Sequence, residues 1–460
     1  MNHAAEPVGP QPTNVRWTVF VLCCGSSWFL YLHRYTFALI KPSLIREWGL
    51  DEAELGLLDS AFSLCYSVFQ FPLGLLADFS GAHLFLGGMI LLWSVALGLH
   101  AWAPSLKVLQ LARALFGLGQ AAAFASVARI TRTWFPGSVR TTVQGWVGVF
   151  FGRMGGMSAN LLFALLLVGV IGFGWRTAIY LFAVAGLIHG LAFLFLFRNS
   201  PRKHPRVNTA EADLIEEVAP HSPDRDAPES TTANEPPRKR MALGEMFGRM
   251  SLRSILNLLC LNLQSMLSTI ADNIFSNWIP LFLAVEHGLK FKEMGIYSAL
   301  PLLGGALGGV TGGWLNDRLI SKTGNRRFAR SSVGLVGKGL AGLLIFTALT
   351  FYYDDPYVFC TFLFFVKFFG DWSLASGWGT VTEIGGKATA SVFAFNNSVA
   401  GIGAIIAPVM YGFLARDYSW KAVFIVAGVA YFCCAASWLL VNCTIPILRG
   451  EPDQPPAVDV

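Results

Sequence analysis

The chain has 460 residues, 54% of them hydrophobic and only 13% charged, and its mean hydropathy is +0.53. That is too apolar and too poor in charge for an ordinary soluble protein, and it excludes a soluble multidomain enzyme. The net charge of +6 does not mark a nucleic-acid binder, because Lys and Arg fall in short clusters between long apolar runs, as they do in the cytoplasmic loops of membrane proteins.

A helix crosses the hydrocarbon core in about 20 residues, which leaves room for roughly a dozen spans. The apolar runs are continuous and lack the period-two alternation of a membrane barrel. The first 16 residues form a polar tail. The run that follows has no small-residue cleavage site before it meets His33 and Arg34, so it is expected to persist as the first span. Charge, Gly and Pro then delimit spans at 17–40, 55–77, 83–102, 106–130, 141–170 and 175–197. From 198 to 253 the composition turns to Pro, Ser and charged residues, as in a solvated cytoplasmic linker. Within it Glu211, Asp213, Glu216 and Glu217 read as the solvated acidic face of a short helix. Six more spans follow at 256–284, 292–315, 330–352, 357–381, 388–414 and 420–441, with a second tail at 445–460. The expected fold is all-α and integral to the membrane. Two six-helix bundles, 17–197 and 254–444, are joined by the linker. Basic residues concentrate in the linker and in the 129–140 and 318–330 loops, so both termini are expected on the cytoplasmic side of the inner membrane. The eight cysteines show neither disulfide nor zinc spacing and read as packing residues, and no metal or cofactor is expected.

The two halves echo each other. Gly74 and Asp78 follow the second span, and Gly313, Asp317 and Arg318 follow the eighth, the two Asp residues standing 317 − 78 = 239 apart. Trp175 with Arg176 opens the sixth span and Trp420 with Lys421 the twelfth, 420 − 175 = 245 apart. Near-equal offsets at two places imply duplicated halves, the parallel repeat of transporters that rock about a central site.

At these residues the sequence resembles the major facilitator superfamily, whose loop motif is Gly-x-Leu-x-Asp-Arg followed by Gly and basic residues; the copy at 313–327 is close and that at 74–83 is degenerate. In that motif the Asp grips a neighbouring helix end in one conformation. Several further segments resemble the anion:cation symporter family of that superfamily. They are Tyr31 to Arg34, Arg113 with Gly117 and Gly119, Trp134 to Pro136 with Arg140, Asn277 to Leu283, Gly312 to Asp317 and Asn397 to Pro408. That family carries hexuronates, aldonates, aldarates and other organic anions. The resemblance covers the chain apart from the linker. It implies rocker-switch transport of a small organic anion, coupled to a cation, with H+ favoured over Na+. It also gives Arg34 the substrate carboxylate, Asn397 its hydroxyls and Trp378 its ring face. One departure stands out. His33 and Gln120 occupy places where sugar-acid transporters carry the acids Asp and Glu, so both usual proton carriers are missing.

Ionisable groups at bilayer depth are costly, about 2.5 to 3.5 kcal/mol on insertion scales, and tend to face a cavity or a partner. Arg34 suits a carboxylate through its bidentate fork, or is a structural Arg held by helix carbonyls. Arg113 and Gln120, seven residues apart, share a helix face and form a coupling network. His33 is either a hydrogen-bonding ligand or a packing residue. Arg153, beside Gly152 and the Gly155, Gly156 pair, faces the cavity, while the glycines permit close helix packing. Lys367 and Asp371 stand four apart as an internal ion pair or a proton relay, and Asp272 is a second buried acid. In the absence of the usual acids, Asp371 and Asp272 are the candidate proton carriers. A monomer is expected in the lipid bilayer. The alternatives are an organophosphate/phosphate-type exchanger, which calls for a deep Arg in each half, and a non-transporting membrane sensor.

Overall fold

The computed structural model describes residues 11–216, 250–386 and 389–447, without the side chains of 78, 79, 137, 138, 141, 149, 390 and 391. Among the described residues, twelve helices are long and apolar enough to cross a membrane. They are α1 (Val15–Trp48), α2 (Glu52–Ala77), α3 (Ala82–Trp102), α4 (Leu106–Trp134), α5 (Thr142–Val170), α6 (Trp175–Leu196), α7 (Leu252–Asn277), α8 (Phe291–Thr323), α9 (Arg326–Phe351), α10 (Pro356–Gly385), α11 (Val392–Asp417) and α12 (Trp420–Leu440). Successive helices run antiparallel, so both halves begin and end on the side that carries the linker. We call this the linker side and the opposite face the far side.

Local chemistry sets the ends. Gly49 adopts φ +66° and returns its N–H to the Ile45 carbonyl, which closes α1 in a conformation that favours glycine. Asp51 then opens α2 with a capping box: its side chain accepts from Glu54 N at 2.7 Å, and Glu54 accepts from Asp51 N at 3.0 Å. α1 runs to Trp48, beyond the expected end at residue 40, because Lys41 and Pro42 lie buried inside the helix.

The linker's acidic face needs correction. A short helix does form at Thr209–Glu216, but Glu211 is fully buried. It accepts from the backbone N–H groups of Val15 and Arg16, both at 2.9 Å, and from the Thr13 hydroxyl. A carboxylate there satisfies orphan donors and meets the positive end of the helix dipole. Asp213 and Glu216 are bound by Arg202 at 3.0 and 2.6 Å. Glu217 lies outside the described residues.

The halves meet chiefly through α2 with α11 and α5 with α8. Small residues bring the backbones together on the far side: a Cβ on Gly56 would lie 2.4 Å from the Pro408 carbonyl, and one on Gly412 would lie 2.4 Å from that of Glu52. Ser60 Oγ donates to the Ile405 carbonyl at 2.6 Å, and Arg416 pairs with Asp51 at 3.2 Å. Among the described residues, the hydrogen bonds and ion pairs between the halves all lie at mid-depth or toward the far side. The linker-side stretches of α10 and α11 are instead exposed at Trp378, Phe395 and Asn397.

Candidate functional site

Two spans are interrupted near mid-depth and a third at its far-side end, and the breaks carry the chemistry. α4 breaks at 121–122, immediately after Gln120, and α10 breaks at Asp371 and Trp372. α7 breaks at Trp278 and resumes as Ile279–Val285, with Pro280 near its start. In α5, wide π-helical turns at Trp146–Phe150 and Ala159–Val170 bracket the α-helical stretch Phe151–Ser158 that holds Arg153. Irregular backbone at membrane depth is tolerated where it is buried in protein or lines a cavity.

In the N-terminal half, Arg34 Nε donates to Gln120 Oε1 at 3.1 Å, and Gln120 Nε2 donates to the Leu30 carbonyl at 3.0 Å. The guanidinium carbon lies 5.2, 5.0 and 4.7 Å from the ring centroids of Tyr31, Phe62 and Tyr66. This aromatic wall favours a cation but supplies no counter-ion. No carboxylate among the described residues pairs with Arg34, and its Nη2 is buried without a hydrogen-bond partner. Arg34 is thus a permanent charge with an unused donor, and its guanidinium has the fork geometry that carboxylates match.

Toward the far side lies a second cluster. Asp59 binds Lys41 Nζ at 2.5 Å through one oxygen and Arg113 Nη2 at 2.9 Å through the other, with all three side chains at most 3% exposed. Lys41 also donates to the Asn277 carbonyl at the α7 break, 2.7 Å away, and sits 3.8 Å from the Trp278 ring centroid. It thereby ties α1 to the other half. Arg113 and Gln120 do share one face of α4, as their spacing implies, but Arg113 is occupied by Asp59 while Gln120 holds Arg34.

In the C-terminal half, Asp272 accepts from Lys367 Nζ at 2.7 Å and from the Tyr431 hydroxyl at 2.6 Å, and it lies 3.6 Å from Lys338 Nζ. Lys338 also donates to Ser268 Oγ at 2.7 Å. Lys367 bridges to Asp371 Oδ1 at 2.7 Å. Asp371 Oδ2 then meets Arg153 Nη2 at 2.6 Å, across the boundary between the halves. That last contact is ionic, without the angle of a hydrogen bond. From mid-depth toward the far side, these clusters together hold six formal cations, Arg34, Lys41, Arg113, Arg153, Lys338 and Lys367, against three carboxylates, Asp59, Asp272 and Asp371. The excess of three positive charges favours an anion.

The structure brings Arg34 to Gln120, and Arg153 to Asp371, Lys367 and Asp272, but it does not bring every candidate to these clusters. His33 turns into the N-terminal core, where its Nε2 lies 3.0 Å from the Phe182 carbonyl and its ring is fully buried. Successive helical residues point about 100° apart, so it cannot share Arg34's direction. Of its two readings, this arrangement is packing. Trp378 is half exposed, 6.2 Å from the Phe393 ring, and Asn397 is exposed. In the loop motifs, Asn316 Nδ2 reaches Asp317 Oδ1 at 3.3 Å, and Arg318 stacks over Trp314 at 5.2 Å. Gly313 and Gly74 stand 3.6 and 3.9 Å from alanine methyls when a Cβ is built on them. The Asp78 side chain lies outside the described residues. Sequence reasoning missed Lys41 and Asp59, although both are ionisable groups among apolar neighbours.

Comparison with known proteins accords with this architecture. Residues 23–382 and 261–458 match the Major Facilitator Superfamily. A probable sulfoacetate transporter of Cupriavidus necator is 30% identical over 447 residues, covering 96% of this chain and 97% of that protein. A probable galactarate/D-glucarate transporter of Bacillus subtilis is 27% identical, covering 98% and 97%. Among solved structures, a bacterial homologue of the human lysosomal transporter Spinster, inward-facing and unoccupied, superposes with TM-score 0.68 at 16% identity, over 93% of this chain and 95% of that one. The chain is a multi-pass membrane protein of the major facilitator superfamily, a family of transporters and not of enzymes, and within it resembles the anion:cation symporter family.

Proposed function

We propose that the protein is a secondary transporter that carries a small organic anion, a sugar acid or a similarly short acid, across the inner membrane by alternating access. The observation that carries this reading is the Arg34 guanidinium, which has a buried and unpartnered Nη2 and no carboxylate partner among the described residues. The sulfoacetate, galactarate/D-glucarate and D-galactonate relatives support the substrate class. The far-side contacts of α2 with α11, together with the separated linker-side stretches, support one end state of the alternation. Its reverse would break the Lys41 to Asn277 contact. In that cycle the linker is cytoplasmic, and Trp378 and Asn397 reach the substrate when the linker side closes.

An inside-negative membrane opposes anion entry by about 2.3 kcal/mol per charge per 100 mV, so a co-transported cation accompanies uptake. We assign this role to the proton, with Asp371 as its carrier ahead of Asp272, because of the two only Asp371 pairs with a residue of the N-terminal half. Gly313, Asp317 and Arg318, with Gly74 and Asp78, serve the linker-side gate. In proteoliposomes, uptake of labelled galactarate, galactonate or sulfoacetate should rise several-fold under an inside-alkaline pH gradient, collapse with a protonophore and ignore sodium. Uptake that is indifferent to both ion gradients contradicts symport. The exchanger alternative is disfavoured because both accessible guanidiniums, Arg34 and Arg153, belong to the same half, whereas Lys338 and Lys367 are held by carboxylates. Counterflow from preloaded vesicles, with no response to pH, would favour it.

A further inference from the structure

At mid-depth, the Arg153 to Asp371 pair is the one contact between charged side chains of opposite halves among the described residues. Its two members are not equally committed. Asp371 is 3% exposed and keeps Lys367 at 2.7 Å on its other oxygen. Arg153 is 25% exposed, and Asp371 is the one carboxylate that pairs with it among the described residues. Without Arg153, the cluster of Lys338, Lys367, Asp272 and Asp371 is formally neutral, two ammonium groups against two carboxylates. Removing Asp371 from Arg153 therefore strands no charge in the C-terminal half. It leaves a second free guanidinium facing the boundary.

Tyr31 is a neighbour common to both guanidinium-bearing segments. Gly152 and Gly156 let α1 press onto α5: Cβ atoms built there would come within 2.8 Å of the Tyr31 ring and 3.0 Å of the Tyr35 ring. Tyr31 also covers Arg34, 5.2 Å from its guanidinium carbon. Tyr31 thus neighbours both Arg34 and the α5 turn that carries Arg153. Arg34 and Arg153 each present a fork that a carboxylate or sulfonate can fill.

We propose that the substrate is an organic dianion with an acidic group at each end, one end bound by Arg34 with Gln120 and the other by Arg153, which exchanges Asp371 for the substrate. A monoanion fills the Arg34 end and leaves the Arg153 to Asp371 pair closed. This rests on the reading of Arg34 as the primary anion site, and the experiment separates the two claims.

Binding to the purified full-length protein would be measured by calorimetry for two matched pairs that differ by one acidic terminus, galactarate against galactonate and sulfoacetate against acetate. In the wild type, the dianion of at least one pair should bind at least ten-fold more tightly than its partner. Arg153→Gln should reduce that dianion to its partner's affinity while changing the monoanion by less than two-fold. Arg153→Lys, which keeps the charge but not the fork, should retain part of the preference and guards against a folding defect in the Gln variant. Arg34→Gln should weaken both members. Equal wild-type affinities, or a parallel loss of both members in the Arg153 variants, overturns the dianion clamp and leaves the Arg34 site standing. Unchanged binding in Arg34→Gln overturns the underlying reading, and failure of every ligand to bind contradicts both.

Discussion

Replacing Arg34 with Gln is expected to remove substrate binding and uptake while leaving the protein folded. The charge-assisted contact it offers is desolvated, and deleting one partner of such a contact costs about 3 kcal/mol, roughly 150-fold in affinity. Stability should change little, because Arg34 makes a single side-chain hydrogen bond, to Gln120, and its Nη2 is unpartnered. Arg34→Lys keeps a positive charge but loses the planar fork and the Nε contact, so it should fall between Gln and wild type, about ten-fold weaker than the native protein. Uptake and binding assays on both variants, alongside their melting curves, check this. Native affinity in the Gln variant would remove Arg34 from the site, and a collapsed melting transition would mark it as structural.

The second large effect is expected at Asp272. This carboxylate holds Lys367 and Tyr431 and lies 3.6 Å from Lys338. Asp272→Asn leaves Lys338 without a carboxylate and Lys367 with Asp371 alone. Removing one partner from a buried ion pair costs about 3–5 kcal/mol, which should appear as a marked fall in melting temperature. Adding Lys338→Met to Asp272→Asn removes the stranded ammonium and should restore much of the loss, since residues of one network are not additive. If the single variant melts like wild type, the cluster does not hold the C-terminal half together. If the double variant is no better than the single, Lys338 is not the charge that Asp272 neutralises.

The membrane fold could be read from the sequence because its determinants are local. A span is a run of apolar residues of fixed minimum length, and the offsets between Asp78 and Asp317 and between Trp175 and Trp420 record the duplication directly. Arg34 and Gln120 were also legible, one as a lone guanidinium in an apolar run and the other through its spacing from Arg113. Lys41 and Asp59 were not. A lysine after an apolar run reads as the end of a span, since an unpaired ammonium at depth is costly. Only the α1–α2 hairpin shows that Asp59, eighteen residues on, neutralises it. The same limit applies to Glu211, whose neighbours in sequence suggest solvent but whose partners are the first turn of α1, nearly two hundred residues away. His33 illustrates the converse: adjacency to Arg34 in sequence places it on a different face, against Phe182.

The central claim is that an organic acid sits at the boundary between the halves with an acidic group on Arg34. The most direct test is an experimental structure of the full-length protein with galactarate or sulfoacetate bound. A carboxylate or sulfonate is expected within hydrogen-bond distance of Arg34 Nη2, enclosed by Tyr31, Tyr66 and Gln120. Ligand density elsewhere, with Arg34 still bound to Gln120 and facing no anion, would contradict it.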